Sequence, residues 1–261
     1  MDILDKFIEQ AEKNIANGYY ELKISDNSNK YKTKKVSLKE KIAKNNFSLI
    51  AEIKHASPAG EYSFEDIDAE KTAFLFKNAG ADAISVVVEP AIFKGNLKNI
   101  CEAKKTGLPV LFKDFIMREI QIKAAADLGA DCVLLIMKLA DRLHLDINKM
   151  IESAHSYGLE VLLECYDEKE MERALHTGAD IIGINNRNLE TLAVDINRSI
   201  KIMENIDKRR LNGRKIISES GIGRKQDIEL ISNAGINAAL VGTAIWKSEN
   251  QAGKIKELKG I

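Results

Sequence analysis

The sequence predicts an α/β fold, a (β/α)8 TIM barrel preceded by an N-terminal helical segment, and three observations carry the expectation. From Ser48 onward, short apolar segments alternate with amphipathic ones, and the apolar segments sum to eight over about 210 residues. Those segments are continuously apolar, as strands of a parallel sheet covered on both faces are. Four of them follow a Gly-Ala-Asp motif or its variant: Gly80-Ala81-Asp82, Gly129-Ala130-Asp131, Gly178-Ala179-Asp180 and Gly235-Ile236-Asn237. An open doubly wound sheet is the competing arrangement. It usually carries a G-x-G-x-x-G turn after a strand, and the nearest approach, Gly221-Ile222-Gly223, lacks the third glycine. Residues 1–261 read as one barrel domain, with residues 1–46 as its N-terminal extension.

In chain order, Ile3, Leu4, Phe7, Ile8 and Ala11 recur at helix spacing. The Lys-rich stretch Lys30-Tyr31-Lys32-Thr33-Lys34-Lys35 reads as a solvated loop, because the chain as a whole is uncharged. Ser37-Leu38-Lys39-Glu40 has the form of a capping box and predicts a short helix. The strands follow at Leu49–Lys54, Ala83–Val88, Val110–Lys113, Cys132–Ile136, Glu160–Glu164, Ile181–Ile184, Lys215–Ser218 and Ala238–Val241. Between them the spacing predicts helices such as Ala69–Ala79, Arg118–Leu128, Glu168–Thr177 and Lys225–Ala234, the glycine of each Gly-Ala-Asp motif closing the preceding helix in a left-handed cap.

Composition narrows the function. Thirty-nine basic residues balance 39 acidic ones, which argues against a nucleic-acid partner or a basic membrane-binding surface. The apolar runs are far short of a membrane span, and the N-terminus lacks a secretory pattern. Cys101, Cys132 and Cys165 are far apart and outside any metal spacing, so they read as reduced packing residues of a cytoplasmic protein. His144, His155 and His176 likewise have no metal spacing.

The chemistry gathers at the strand ends, where a barrel carries it. On the first strand Glu52 and Lys54 share a face, because alternate residues do. The later strands end in Lys113-Asp114, Glu164, Asn185-Asn186-Arg187, Glu219-Ser220-Gly221 and Gly242-Thr243. Charged groups thus emerge from apolar strands into one mouth. The loops after the last two strands suit a phosphate. Ser220 and Thr243 offer hydroxyls, Gly221 and Gly242 an approachable backbone, and Lys54 a cation within reach.

Four of these stretches also carry a family resemblance. Ala51-Glu52-Ile53-Lys54-His55-Ala56-Ser57-Pro58, Pro109 to Ile116, Ile182 to Leu189 and Ser218-Glu219-Ser220-Gly221-Ile222 closely resemble indole-3-glycerol phosphate synthase, in matching order and spacing from the N-terminal helices to about Trp246. The resemblance implies a (β/α)8 barrel with an N-terminal helical extension over the barrel mouth. It implies conversion of 1-(2-carboxyphenylamino)-1-deoxyribulose 5-phosphate to indole-3-glycerol phosphate, with release of carbon dioxide and water and with no metal or organic cofactor. Lys113 would be the general acid of ring closure and Glu164 its partner acid/base, with Lys54 and Glu52 completing the ionisable set. Ser220, Gly221, Gly242 and Thr243 match phosphate-binding positions. Ser57, Asn185, Arg187 and Glu219 match substrate-contacting ones, and Pro58, Phe93, Phe115, Leu134 and Leu189 fall where the family packs the anthranilate ring. The partner expected is this phosphorylated small molecule, with no nucleic acid and no membrane, and the protein a monomer or weak homo-oligomer.

Departures from the family pattern are His55 for a common Arg, Val88 for Thr, Phe112 for Arg, Cys165-Tyr166 after Glu164, and Thr243 for Ser, which keeps the hydroxyl. His55 reads as a solvated loop residue. Two alternatives stand beside the leading one. Another phosphate-binding barrel enzyme, such as phosphoribosylanthranilate isomerase or the indole-releasing aldolase half of tryptophan synthase, leaves Lys113 and Lys54 together unexplained. A non-catalytic barrel binding a phosphorylated metabolite has no use for Lys113 or Glu164, whose burial is costly.

Overall fold

A computed structural model describes residues 2–21 and 34–261. Eight parallel strands close into a barrel in sequence order: β1 (Ser48–Ile53), β2 (Ala83–Val87), β3 (Val110–Lys113), β4 (Cys132–Ile136), β5 (Glu160–Cys165), β6 (Ile181–Asn185), β7 (Lys215–Glu219) and β8 (Ala238–Val241). Helices α1 (Ile3–Ala16) and α2 (Leu38–Lys44) precede the barrel. The rest cover it: α3 (Ala69–Asn78), α4 (Lys98–Lys104), α5 (Glu119–Asp127), α6 (Met137–Leu143), α7 (Ile147–Ser156), α8 (Glu168–Ala174), α9 (Asn197–Asn205), α10 (Lys225–Asn233), α11 (Thr243–Trp246) and α12 (Gln251–Lys259). The expected strands and helices agree with these to within a few residues at their ends. Of the Lys-rich stretch, residues 30–33 lie outside the described ones.

The repeated motif before the even strands has a structural reason that its glycine does not exhaust. Asp82, Asp131, Asp180 and Asn237 each exchange two hydrogen bonds with the preceding odd strand. Their backbone N–H groups donate to the carbonyls of Leu49, Val110, Val161 and Ile216 at 2.9–3.1 Å. Their side chains accept from the N–H groups of the same four residues at 2.8–2.9 Å. The acid, or Asn237 in the fourth case, therefore pins the register of each odd–even strand pair. Gly80, Gly129 and Gly235 are left-handed, as a helix-ending glycine is, but Gly178 is not, so that cap fails at the third motif.

The core has two shells. Ala51, Ile53, Ile84, Val86, Phe112, Val133 and Val161 face outward and pack beneath the helices. Ile50, Leu111, Leu162 and Ile217 face inward and fill the barrel. The N-terminal extension divides between the two ends. Helix α1 buries Leu4, Phe7, Ile8 and Ala11 against Phe93, Phe115 and Leu134 at the mouth. Helix α2 lies at the floor instead. Glu160, the first residue of β5, accepts from the N–H groups of Leu38 and Lys39 at 2.8 and 3.1 Å, while Leu38 and Ile42 plug the inward shell. The capping box there is half formed: Ser37 Oγ accepts from Glu40 N–H, and that hydroxyl also donates to Glu160.

Candidate active site

The barrel interior is built in layers from alternate strands. Passing from one odd strand to the next through the register, the inward side chain at the same height lies two residues beyond the paired position. That rule closes on itself twice. Ile50, Leu111, Leu162 and Ile217 form an apolar layer, each 0% exposed. One step towards the mouth, Glu52, Lys113, Glu164 and Glu219 form the next layer of the odd strands. Three of the four expected ionisable groups, Glu52, Lys113 and Glu164, therefore share a single layer with Glu219 on a hydrocarbon floor, and Lys54 follows two residues beyond Glu52.

Within it Glu52 is the hub. Lys54 Nζ lies 3.0 Å from one carboxylate oxygen and Lys113 Nζ donates to the other at 2.8 Å. Lys113 Nζ is also 3.8 Å from Glu219. Burial pushes the Glu52 carboxyl up, but the two ammoniums outweigh it and hold it down at about 2. Burial opposes the charge on Lys113, yet Glu52, Glu219 and Glu164 hold its ammonium above the usual range. Glu164 is raised, first by burial, against the pull of Lys113 and Asn185. Glu219 is raised for the same reason, with Glu164 adding to it. Neither oxygen of Glu219 has a hydrogen-bond partner among the described residues. The layer and the adjoining Lys54 thus hold two ammoniums and one firmly ionised carboxylate beside two carboxyls biased towards the neutral acid.

Glycines make room for these groups. A Cβ on Gly242 would lie 2.6 Å from Glu52 Oε1 and 3.2 Å from its Cβ, and one on Gly183 would collide with the Glu219 carboxyl. Trp246 Nε1 donates to the Glu52 carbonyl at 2.8 Å and fixes the end of β1 from behind.

Above the layer opens a cavity of about 740 Å³. Its wall includes Glu52, Lys54, Pro58, Phe93, Lys113, Phe115, Leu134, Glu164, Asn185, Arg187 and Leu189, with Ser220, Gly221, Gly242 and Thr243 along one rim. Two expected residues are not on that wall. Ser57 is buried and donates to Glu61 at 2.9 Å, so it shapes the loop after β1. Glu219 lies 1% exposed beneath the cavity, within the layer, because β7 carries it inward one residue before the rim. His55 is also not solvated. It is 7% exposed, with Nε2 3.0 Å from Asn99 Nδ2, because the loop after β1 folds back over it.

The phosphate-type rim has a rigid support. Ser220 has φ of 69° and Gly221 of 78°, and the left-handed region is costly for a serine. Asn186, fully buried, offsets this by donating to the Ser220 carbonyl at 2.9 Å and to Ser218 Oγ at 3.0 Å. Its own carbonyl oxygen accepts from Ser199.

The structure adds Phe7, Asp114 and Glu89 to the wall, none of them among the expected site residues. Phe7 of α1 stacks on Phe115 at 4.6 Å and meets Phe93 at 5.7 Å, forming an aromatic edge to the cavity. Asp114 accepts from Tyr20 Oη at 2.6 Å, and burial pushes its carboxyl up to about 6. Glu89 accepts from Asn14 at 3.0 Å and from three backbone N–H groups of its own loop. These bonds tie α1 over the mouth. At the other end of α1, Arg142 bridges Asp2, Asp5 and Glu190. No local pattern in the sequence points to these contacts, because Tyr20 and Asn14 meet acids 94 and 75 residues away.

Comparison with known proteins gives the family. A family model described as indole-3-glycerol phosphate synthase matches residues 4–258. A protein named indole-3-glycerol phosphate synthase from Campylobacter jejuni subsp. doylei is 37% identical over 262 residues, covering 98% of this chain and 99% of its own. One of the same name from Aquifex aeolicus is 40% identical, covering 82% and 81%. Among solved structures, a thiamine phosphate pyrophosphorylase from Pyrococcus furiosus superposes with a TM-score of 0.60 at 17% identity, covering 84% of this chain and 96% of that one, a likeness of fold alone.

Proposed function

The chain belongs to the indole-3-glycerol phosphate synthase family, and from that premise we propose how its four-membered ionisable layer carries the reaction. The activity is a carboxy-lyase step of tryptophan biosynthesis: 1-(2-carboxyphenylamino)-1-deoxyribulose 5-phosphate becomes indole-3-glycerol phosphate, carbon dioxide and water. The observation that supports the residue roles most is Glu52 bridging Lys54 and Lys113 at 3.0 and 2.8 Å on the cavity floor, beside a raised Glu164.

Ring closure places negative charge on the substrate's ketone oxygen as a ring carbon attacks it. Lys113 gives that oxygen its proton, and Glu52 orients the ammonium. The ring carbon bearing the carboxylate then loses carbon dioxide and regains aromaticity. Glu164, whose protonated form burial favours, protonates the departing hydroxyl, and a carbon-bound proton is taken up by a basic group of the layer. Lys54 lies between the floor and the phosphate rim. Lys54 and Lys113 together outnumber the one firm carboxylate, Glu52, and complement a substrate that is anionic at both ends. Ser220, Gly221, Gly242 and Thr243 hold the phosphate through hydroxyls and backbone N–H groups. Pro58, Phe93, Phe115, Leu134 and Leu189, with Phe7, hold the aromatic ring, and Asn185 and Arg187 contact the chain between. Ring and ketone are thereby held in a reactive pose. Ser57 and Glu219 act from just outside the wall, the first through the loop after β1 and the second through Lys113.

Purified protein with the carboxyphenylamino-deoxyribulose phosphate is expected to develop indole absorbance and fluorescence, with a chelator present. Absence of product would end the assignment. A second expectation concerns Gly242→Ala. The added methyl displaces Glu52, which two lysines hold in place, and a misplacement of this size costs about a hundred-fold in turnover. Steady-state kinetics would check it; wild-type turnover would mean that Glu52 can shift freely.

No helix among the described residues is long and apolar enough to cross a membrane. On the balanced charge and the three free cysteines, we read the protein as cytoplasmic, a monomer or weak homo-oligomer without a nucleic-acid partner.

A further inference from the structure

A second, much smaller cavity of about 10 Å³ adjoins Glu164, roughly the space that one water needs. Glu164 lines both cavities. Glu170, Tyr166 and Asn188 line only the small one, and its far end meets the Lys138–Glu190 ion pair, whose side chains are about a third exposed. The small cavity therefore places Glu164 and Glu170 around one water-sized space whose lining also includes the partly exposed Lys138 and Glu190.

Proton balance gives that space a purpose, on the reading proposed above. The substrate enters with its ring carboxyl ionised, and that group leaves as neutral carbon dioxide. Substrate anion plus one proton therefore gives product, carbon dioxide and water. Inside the site, one proton goes to the ketone oxygen, one goes to the departing hydroxyl, and one is recovered from carbon. One proton per turnover must come from solvent, and Glu164, having given its proton to the departing hydroxyl, must be reloaded before the next turnover.

We propose that Glu170 supplies this proton to Glu164 through one water held in the small cavity. In the transfer the Glu170 O–H bond breaks as the water gains a proton. The water gives a different proton to the Glu164 carboxylate, and Glu170 is reprotonated from solvent at the outer end. The geometry suits it. Glu170 is 5% exposed at the first turn of α8. Its Oε2 accepts from the Tyr166 N–H at 2.8 Å, while Oε1 makes no hydrogen bond to protein among the described residues. Burial pushes the carboxyl up to about 7, where it is both donor and acceptor near neutrality. Capping α8 needs only an acceptor; the relay needs a titratable acid.

The test separates those roles. Glu170→Gln keeps the cap and loses the acid, and Glu170→Asp keeps an acid. For Glu170→Gln, kcat is expected to fall about ten-fold, the modest side of what an acid–base group contributes, with KM unchanged and a larger solvent deuterium isotope effect on kcat. Glu170→Asp is expected to regain most of the rate and the wild-type isotope effect. If Glu170→Gln does not fold by circular dichroism, the Asp and Asn variants are compared instead, with Asp the faster. Equal rates and isotope effects within either pair overturn the relay. Wild-type protein that forms no product overturns the assigned reaction and the relay with it. Wild-type turnover with acid and amide variants alike overturns the relay alone.

Discussion

Lys113→Met is expected to lower kcat about a thousand-fold, within the range that a positioned acid contributes, while leaving product binding by calorimetry near the wild-type value. The methionine keeps the length and apolar stem of a side chain that is 22% exposed, so the wall of the cavity persists. What disappears is the proton for the ketone oxygen. The phosphate rim at Ser220 and Thr243 does not contact Lys113 and keeps its hold on ligand. Glu52 is left with Lys54 alone, so its carboxyl is held down less strongly. Two outcomes would oppose the assignment. A rate within ten-fold of wild type would transfer the acid role to Lys54, the other ammonium on Glu52. Loss of binding equal to the loss of rate would make Lys113 a ligand contact and no more.

How far the sequence spoke to this site follows from which interactions are local. Charges that end apolar strands were legible because a barrel gathers strand ends, so Glu52, Lys54, Lys113 and Glu164 could be named from the sequence. The equal height of Glu52, Lys113 and Glu164 could not. It depends on register and strand tilt, which are set by pairs such as Asp131 with Val110 and Asp180 with Val161. For the same reason Glu219 was expected to contact substrate, although β7 carries it into the layer beneath the cavity. Helix α1 was legible from Leu4, Phe7 and Ile8. That Phe7 meets Phe115 was not, because an apolar helix face reads the same whether it covers a core or a cavity. Helix α2 was expected at the mouth, but Leu38 and Ile42 close the floor. The burial of His55 was hidden as well, since its partner Asn99 lies on α4, beyond the second strand.

Glu164→Gln is expected to cost a hundred- to ten-thousand-fold in kcat, and to change two pH dependences in ways that follow from one fact. Burial raises the folded-state carboxyl above its ordinary value of 4.5, against the pull of Lys113 and Asn185. As an acid it acts while it holds its proton, so wild-type turnover declines on the alkaline side as Glu164 ionises, and the residual rate of the glutamine variant lacks that decline. Stability carries the same sign. A carboxyl raised on folding binds its proton more tightly in the native state, so its contribution is full below 4.5 and is lost as pH rises through the folded-state value. Glu219 acts in the same direction, up to about 8. Glu52 acts oppositely, since its stabilisation is lost only as pH falls from 4.5 towards about 2. Thermal unfolding of ligand-free protein between pH 4.5 and pH 8 is therefore expected to show a falling Tm, with a shallower fall in Glu164→Gln. If wild type and variant had parallel slopes, Glu164 would be ionised throughout that range, and the proton for the departing hydroxyl would have to come from Glu219 or a lysine.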